Sequence, residues 1–294
     1  MRTYSFERAE NFMWASARLL ERRIFQTLFL GEPAETVYTA LIAYQNPDGG
    51  FGSGLEPDKR DPHSQPVDLE RALQTLDLVG GLTDSDVQEA LLLPACDWLE
   101  TVTTAEGGVP FALPTVNHYP RAPWWTVDDN PPAALNPTAD LVGLLLKAGL
   151  SHPWIERASA FCWQAIAESE TEQYHDLMPM ISFLENAPER DRAERELGRI
   201  VERIRKPGVV AYEVDAQGYV KKPLDWAPTP NSYLRRLFDE PTLSAHLDAL
   251  ASRQQEDGSW PISWDPISPA VGIEWRGWTT IEALHTLRSY EAEK

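Results

Sequence analysis

A seven-residue turn motif near each end of the chain constrains the fold more than any other feature. Residues 45–51 (QNPDGGF) and 254–260 (QQEDGSW) share the pattern Q-x-x-D-G-[GS]-[FW]. Glycine supplies the positive φ that lets a helix end and the chain reverse, and the aspartate can accept bonds from nearby backbone amides. The closing aromatic can fill the gap between neighbouring helices. The motif therefore predicts a repeated structural turn rather than a catalytic site.

The spacing of the turns indicates a regular array of helical hairpins. The two full copies are 209 positions apart, which corresponds to four intervals of about 52 residues. Weaker copies at 105–111 (AEGGVPF) and 206–212 (KPGVVAY) fall near the first and third intervals. We expect the missing turn near residues 170–176.

Apolar residues at three- and four-residue spacing predict helices on both sides of the turns, and prolines mark several helix starts. An inner set follows the turns and comprises 5–29, 66–79, 137–148, 174–185, 230–238 and 278–291. An outer set precedes them and comprises 35–44, 84–102, 153–169, 188–205 and 241–255. This alternation predicts an all-α fold, an (α/α)6 toroid in which hairpins close into a ring. Because no Gly-, Ser- or Pro-rich linker divides the chain, we expect one domain over residues 1–294.

The turn between helices resembles the QW repeat of squalene and oxidosqualene cyclases, and it is similar to the related turn of protein prenyltransferase β subunits. The resemblance implies a terpenoid cyclase-like or prenyltransferase-like toroid that binds an isoprenoid, or a similar apolar ligand, in a central cavity. It implies the chemistry of class II terpene cyclases, in which the middle Asp of a D-x-D-D motif protonates an alkene. The nearest string here is 126–129 (TVDD), so the acid is carried over to Asp128.

The metal-binding motifs of this superfamily have no counterpart in the sequence. Neither the Asp-x-Cys pair with a distant His that binds zinc in protein prenyltransferases nor a D-D-x-x-D diphosphate motif is present. We therefore predict no metal ligand and no cofactor, and Mg²⁺ would be needed only if the substrate is a diphosphate.

Four long segments lead from a turn towards the next inner helix and should gather at one rim of the ring: 52–65, 112–136, 213–229 and 261–277. Loops of this length are often functional, and these carry Trp and Asp. Besides Asp128, the predicted catalytic residues are Glu56 and Glu274, which close the similar strings GLE and GIE, and His175, which a neighbouring Asp could orient. The predicted substrate-binding residues are Trp124, Trp125, Asp58, His63, Trp226, Trp264, Trp275, Arg276 and Trp278.

Two further functions fit the same residues. In a carbohydrate-active (α/α)6 enzyme, Trp side chains would form sugar platforms, and Glu56 and Glu274 would be the acid pair. A non-catalytic toroid would retain a ligand cavity without the chemistry. The structural alternative for each glutamate is that it bonds backbone amides and holds its long loop.

Composition excludes several classes of partner. The formal net charge of −19 disfavours nucleic acid and anionic membrane surfaces. The sequence has no run of 18 apolar residues, so we expect no transmembrane segment. Charged residues near the N-terminus argue against a signal peptide. Cys96 and Cys162 lie in helical patterns, where we expect them to be buried as small apolar residues in a reducing compartment. We therefore predict a cytoplasmic protein, and the oligomeric state stays open.

Overall fold

The computed structural model describes residues 3–293, and helices account for the regular structure in that range. Between these residues there is no β-strand, only isolated bridges, so the predicted all-α class is confirmed. No helix in the described part of the chain is both long and apolar enough to cross a membrane. The helices are α1 (Phe6–Ser16), α2 (Leu19–Leu30), α3 (Glu35–Leu41), α4 (Pro66–Leu78), α5 (Ser85–Val87), α6 (Leu93–Val102), α7 (Leu135–Lys147), α8 (Pro153–Glu168), α9 (Tyr174–Asn186), α10 (Arg190–Ile204), α11 (Pro223–Trp226), α12 (Glu240–Ser252) and α13 (Pro269–Ala292).

Most predicted helices agree with these bounds to within a few residues, but the helix predicted over 5–29 is two helices. Ala17 and Arg18 are extended and separate α1 from α2. The Arg18 guanidinium donates to both carboxylate oxygens of Glu21, at 3.1 and 3.0 Å from Nε. Arg22 Nε donates to the carbonyl oxygen that the break leaves on Ala17, at 2.8 Å. These side-chain bonds replace the helical backbone bonds at the break.

Two other predicted boundaries are wrong. The segment predicted as a helix over 230–238 forms only a 3₁₀ turn at Tyr233–Leu237, because the chain must become extended again to cap α12 at Asp239. The last helix begins at Pro269 rather than at 278, because Ser268 caps it through a 3.3 Å bond from the Val271 amide. Residues 269–277, predicted as loop, are therefore helical.

The chain divides into two compact units. One unit is continuous, Pro33–Glu202, and the other combines the described parts of Met1–Glu32 and Arg203–Lys294. The prediction of a single domain stays a prediction.

In the continuous unit, α7 lies between α4 and α9 and packs against both. Gly143 permits the close approach of α9, because a Cβ at this position would lie 2.6 Å from the Ser182 backbone. Leu141, Leu145 and Met180 are buried in this layer. The tight packing fixes the positions of polar side chains on the three helices.

In the other unit, α13 packs against α1, α2 and α12. Buried polar groups are satisfied locally. Tyr290 Oη donates to the Ala227 carbonyl at 2.9 Å, and Trp260 Nε1 donates to the Leu250 carbonyl at 2.7 Å.

The two full turn motifs have the predicted backbone geometry. Gly49 and Gly258 have φ of 92° and 97°. The aspartate before each glycine accepts a bond from the amide two residues after it, at 3.0 Å in the first motif and 3.1 Å in the second. A Cβ on either glycine would collide with a backbone carbonyl, that of Pro94 on α6 or that of Arg8 on α1. The glycines are thus required both by conformation and by packing.

The glutamine that opens each motif connects the turn to a second segment. Gln45 Nε2 donates to the carbonyls of Gly49 and Leu91, at 3.0 and 3.2 Å. Gln254 Nε2 donates in the same way to Gly258 and Ser5, at 2.9 and 2.8 Å. The motif is therefore a structural device within each unit, as predicted.

Candidate active site

A pair of hydrogen-bonded carboxyl groups lies between α4 and α7. The carboxyl groups of Glu70 on α4 and Asp140 on α7 are hydrogen-bonded to each other, and Asp140 also accepts bonds from the Ser182 hydroxyl of α9 and from Gln74 Nε2 at 2.8 Å. Asp140 is 8% exposed, whereas Glu70 keeps a partly accessible surface. The central helix of the layer thus places one carboxyl where both neighbouring helices reach it.

Burial and proximity disfavour full ionisation of this pair. Burial raises the pKa of Glu70 well above its ordinary value, and the neighbouring Asp140 charge raises it further. Burial also raises the pKa of Asp140, although its three hydrogen-bond partners oppose this effect. Carboxyl groups in such contact favour a state in which they share one proton. The pKa of Glu70 is the one raised well above its ordinary value, so Glu70 is the candidate acid of the pair.

A second charged cluster adjoins the start of α4. Arg71 Nη2 lies 3.2 Å from Glu56 Oε2, and the Glu56 amide donates to Asp68 Oδ1 at 2.7 Å. The other oxygen of Asp68 pairs with the Lys59 ammonium, and both side chains are 0% exposed. Burial raises the pKa of Asp68 to about 6, against the opposing effect of Lys59. The first long loop is therefore attached to α4 by buried charges.

The accessible face of α4 is polar. Glu70, Arg71, Gln74 and Asp77 are all partly exposed and recur at helical spacing. Asp77 pairs with Lys147 of α7, whose ammonium lies 2.7 Å from Oδ1. A molecule that reaches Glu70 along this face meets hydrogen-bonding groups rather than an apolar wall.

The sequence-predicted catalytic residues lie in both units and differ in exposure. Asp128 is exposed, so the dry environment that a neutral acid requires is not found there. Glu56 is buried, and its carboxylate pairs with the Arg71 side chain rather than with backbone amides. Glu274 lies on α13, partly exposed, in the other unit. His175 is exposed at the start of α9, with its ring edge-on to Tyr174 at 5.2 Å.

Among the predicted substrate-binding residues of the continuous unit, only some have accessible side chains. Trp124 is 48% exposed, whereas Trp125 is buried and stacked on Phe111 at 4.6 Å. Asp58 is buried. His63 is exposed, and its Nδ1 lies 2.8 Å from the buried Asp61.

In the other unit, the structure brings Trp264 and Trp275 together at 5.0 Å in an edge-to-face contact. Trp226 and Trp278 are buried. Arg276 pairs with Asp257, and its Nε donates to Ser259 Oγ at 2.9 Å. The Arg276 guanidinium therefore holds the second turn motif in place, which accounts for it without a ligand.

Glu70 and Asp140 were not predicted from the sequence, because both lie inside strongly helical strings. Each nevertheless carries a signal. Asp140 is the single charged residue in 135–146 (LNPTADLVGLLL), and Glu70 adjoins the buried stripe that begins with Leu69 and Leu73. A lone acid in an apolar helix requires a partner when it is buried.

Within residues 3–293, no group of three or more His, Cys, Asp or Glu side chains is arranged to hold a metal ion. The chain matches no protein-family profile, no curated protein and no solved structure.

Proposed function

We propose that the protein is an enzyme that uses Glu70 as a general acid on a polar, hydroxyl-rich small molecule, with saccharides as the first class to test. The observation that carries the proposal is the buried Glu70–Asp140 pair. It offers a carboxyl group whose pKa is raised well above its ordinary value, on a residue that keeps part of its surface accessible.

The physical state of Glu70 suits this role. A general acid must be protonated at the working pH and must lie within reach of the group that it protonates. Burial and the Asp140 charge raise the pKa of Glu70 and so satisfy the first condition. Its accessible surface supports the second. When Glu70 gives up its proton to a substrate oxygen, two adjacent carboxylates remain, and their repulsion favours rapid reprotonation.

The neighbours of Glu70 favour a polar substrate. The accessible face of α4 around Glu70 carries the polar side chains Arg71, Gln74 and Asp77, and such a face suits a hydroxyl-bearing substrate better than a hydrocarbon. The pair acts as one acid rather than as separate acid and base. Two carboxyl groups that flank a glycosidic bond lie about 5 Å apart or more, whereas these two are hydrogen-bonded to each other.

The second candidate is acid-initiated cyclisation of an isoprenoid, in the (α/α)6 toroid that the turn motif suggests. A neutral carboxylic acid also meets the first requirement of alkene protonation. In this candidate Glu70 takes the role that the resemblance gave to Asp128. The ligand is then apolar, with Mg²⁺ in solution for a diphosphate.

The test begins with ligand identification. Thermal-shift screening against neutral oligosaccharides, uronate oligosaccharides, prenyl alcohols and prenyl diphosphates with Mg²⁺ should identify a class that raises Tm, since a ligand that binds the folded state stabilises it. Turnover of the binding class is then followed by mass spectrometry. We expect Glu70→Gln to lower turnover by about 10²- to 10⁴-fold, while Asp128→Asn leaves it unchanged. Unchanged turnover in Glu70→Gln would refute the proposal, and loss in Asp128→Asn alone would restore the class II assignment.

A further inference from the structure

We infer that Gln74 and Ser182 are positioning residues that hold the single proton of the carboxyl pair on Glu70. This inference rests on the proposed function, in which Glu70 is the acid, and it identifies what sets the direction of proton transfer. Neither residue needs to touch the substrate.

The geometry around Asp140 is asymmetric. Gln74 Nε2 donates to Asp140 Oδ2 at 2.8 Å, and the Ser182 hydroxyl donates to the same carboxyl from α9. Both groups are donors here, so each stabilises the anionic form of Asp140. With Asp140 ionised, its third contact must be a proton donor. Glu70 supplies that proton.

The surrounding charges do not produce the same asymmetry. Arg71 and Glu56 both act on Glu70, in opposite directions. Asp77 acts on Asp140 and disfavours its anion. Ser182, the contact from α9, is uncharged. The two neutral donors are therefore the groups that make Asp140, rather than Glu70, the carboxylate.

The arrangement also places the proton on the more accessible of the two residues. Asp140 is almost fully buried, whereas Glu70 retains accessible surface. A proton held on Asp140 would be out of reach of a substrate. The donors on Asp140 thus favour an acid at the accessible position.

The inference is tested by carbon-13 NMR of protein labelled at the side-chain carboxyl carbons of Glu and Asp, with Glu70→Gln and Asp140→Asn spectra used for assignment. At pH 7 we expect the Glu70 carbon to report a carboxylic acid and the Asp140 carbon a carboxylate. In the Gln74→Leu, Ser182→Ala double variant the proton should move to Asp140, so that the two signals exchange character. With Gln74→Leu combined instead with Ser182→Thr, which keeps the hydroxyl, the two carbon signals should return part of the way to their original character.

Several outcomes would overturn the inference. An ionised Glu70 at pH 7 in the unmodified protein would do so, as would a Glu70 that stays protonated in the double variant. If the double variant does not fold by circular dichroism, the single variants decide, since each should move both signals part of the way. Once a substrate is known, Ser182→Ala should lower the maximal rate, because less of the shared proton resides on Glu70, and the loss of rate at alkaline pH should not move to lower pH. The NMR result is independent of turnover, so failure of the proposed function and failure of this inference are separable.

Discussion

Replacement of Lys59 by Met should destabilise the protein in a pH-dependent manner. The Lys59 ammonium is the cation paired with Asp68, and neither side chain is exposed. Burial outweighs this pairing and raises the pKa of Asp68 from 3.8 to about 6. Methionine keeps an unbranched chain of similar length but removes the charge, so Asp68 must then be neutral to remain buried.

The magnitude follows from linkage. A carboxyl whose pKa is raised by folding favours the folded state at low pH and loses that contribution as pH rises to the folded pKa. In the unmodified protein the loss runs from pH 3.8 to about pH 6 and amounts to about 3 kcal/mol, at about 1.36 kcal/mol per pKa unit. Without Lys59 the loss of stability continues above pH 6. At pH 7.5 the variant should therefore have lost about 2 kcal/mol more, or about 4–8 °C in Tm.

The assay compares thermal melts at pH 7.5 and pH 4.5, because the difference between the two removes packing effects common to both. Lys147→Met is the matched control. Its ammonium also pairs with an aspartate, Asp77, but is 50% exposed, so the cost should stay below about 1 kcal/mol at both pH values. An equal loss of Tm at the two pH values in Lys59→Met, or equal pH dependence in the control, would refute the reasoning.

Three smaller perturbations test the packing of the discontinuous unit, residues 3–32 and 203–293. Each is followed by the Tm of the variant. Gly258→Ala should lower Tm more than Gly208→Ala. Both glycines have positive φ, but only at position 258 would the new Cβ collide with a helix backbone. Equal losses of Tm would contradict the packing role of Gly258. Tyr290→Phe should cost about 1 kcal/mol, since it leaves a buried carbonyl without its donor, and no change in Tm would count against that bond. Arg276→Lys should lower Tm slightly, because the bonds to Asp257 and Ser259 require the guanidinium geometry. A ligand-binding role for Arg276 would instead appear as a loss of ligand affinity at constant Tm.

Local chemistry explains what the sequence could predict. The turns at Gly49 and Gly258 were predictable because positive φ, an aspartate that bonds an amide two residues on, and a closing aromatic are all written within seven residues. The start of α4 at Pro66 was predictable for the same reason. By contrast, the break at Ala17 depends on side-chain bonds from Arg18 and Arg22, which helical periodicity does not reveal.

The candidate site was harder to predict because it depends on tertiary contacts. Glu70 and Asp140 are 70 positions apart, and only the packing of α4 against α7 makes them a pair. Trp264 and Trp275 were predicted to line a ligand cavity; the structure shows that they touch, and their role in binding stays a prediction. Asp128 is the opposite case: a motif suggested an acid, the structure leaves that side chain exposed, and its catalytic role stays a prediction.

The bond from Gln254 to the Ser5 carbonyl has a consequence for biosynthesis. The helices α1 and α2 complete their unit only with residues that follow Glu202, so they lack these partners until that part of the chain has been synthesised. Pro33–Glu202 is continuous in sequence and can gain its native contacts earlier. Formation of the discontinuous unit therefore awaits synthesis of residues 203–293, and the nascent α1–α2 segment is exposed to chaperones and proteases until then.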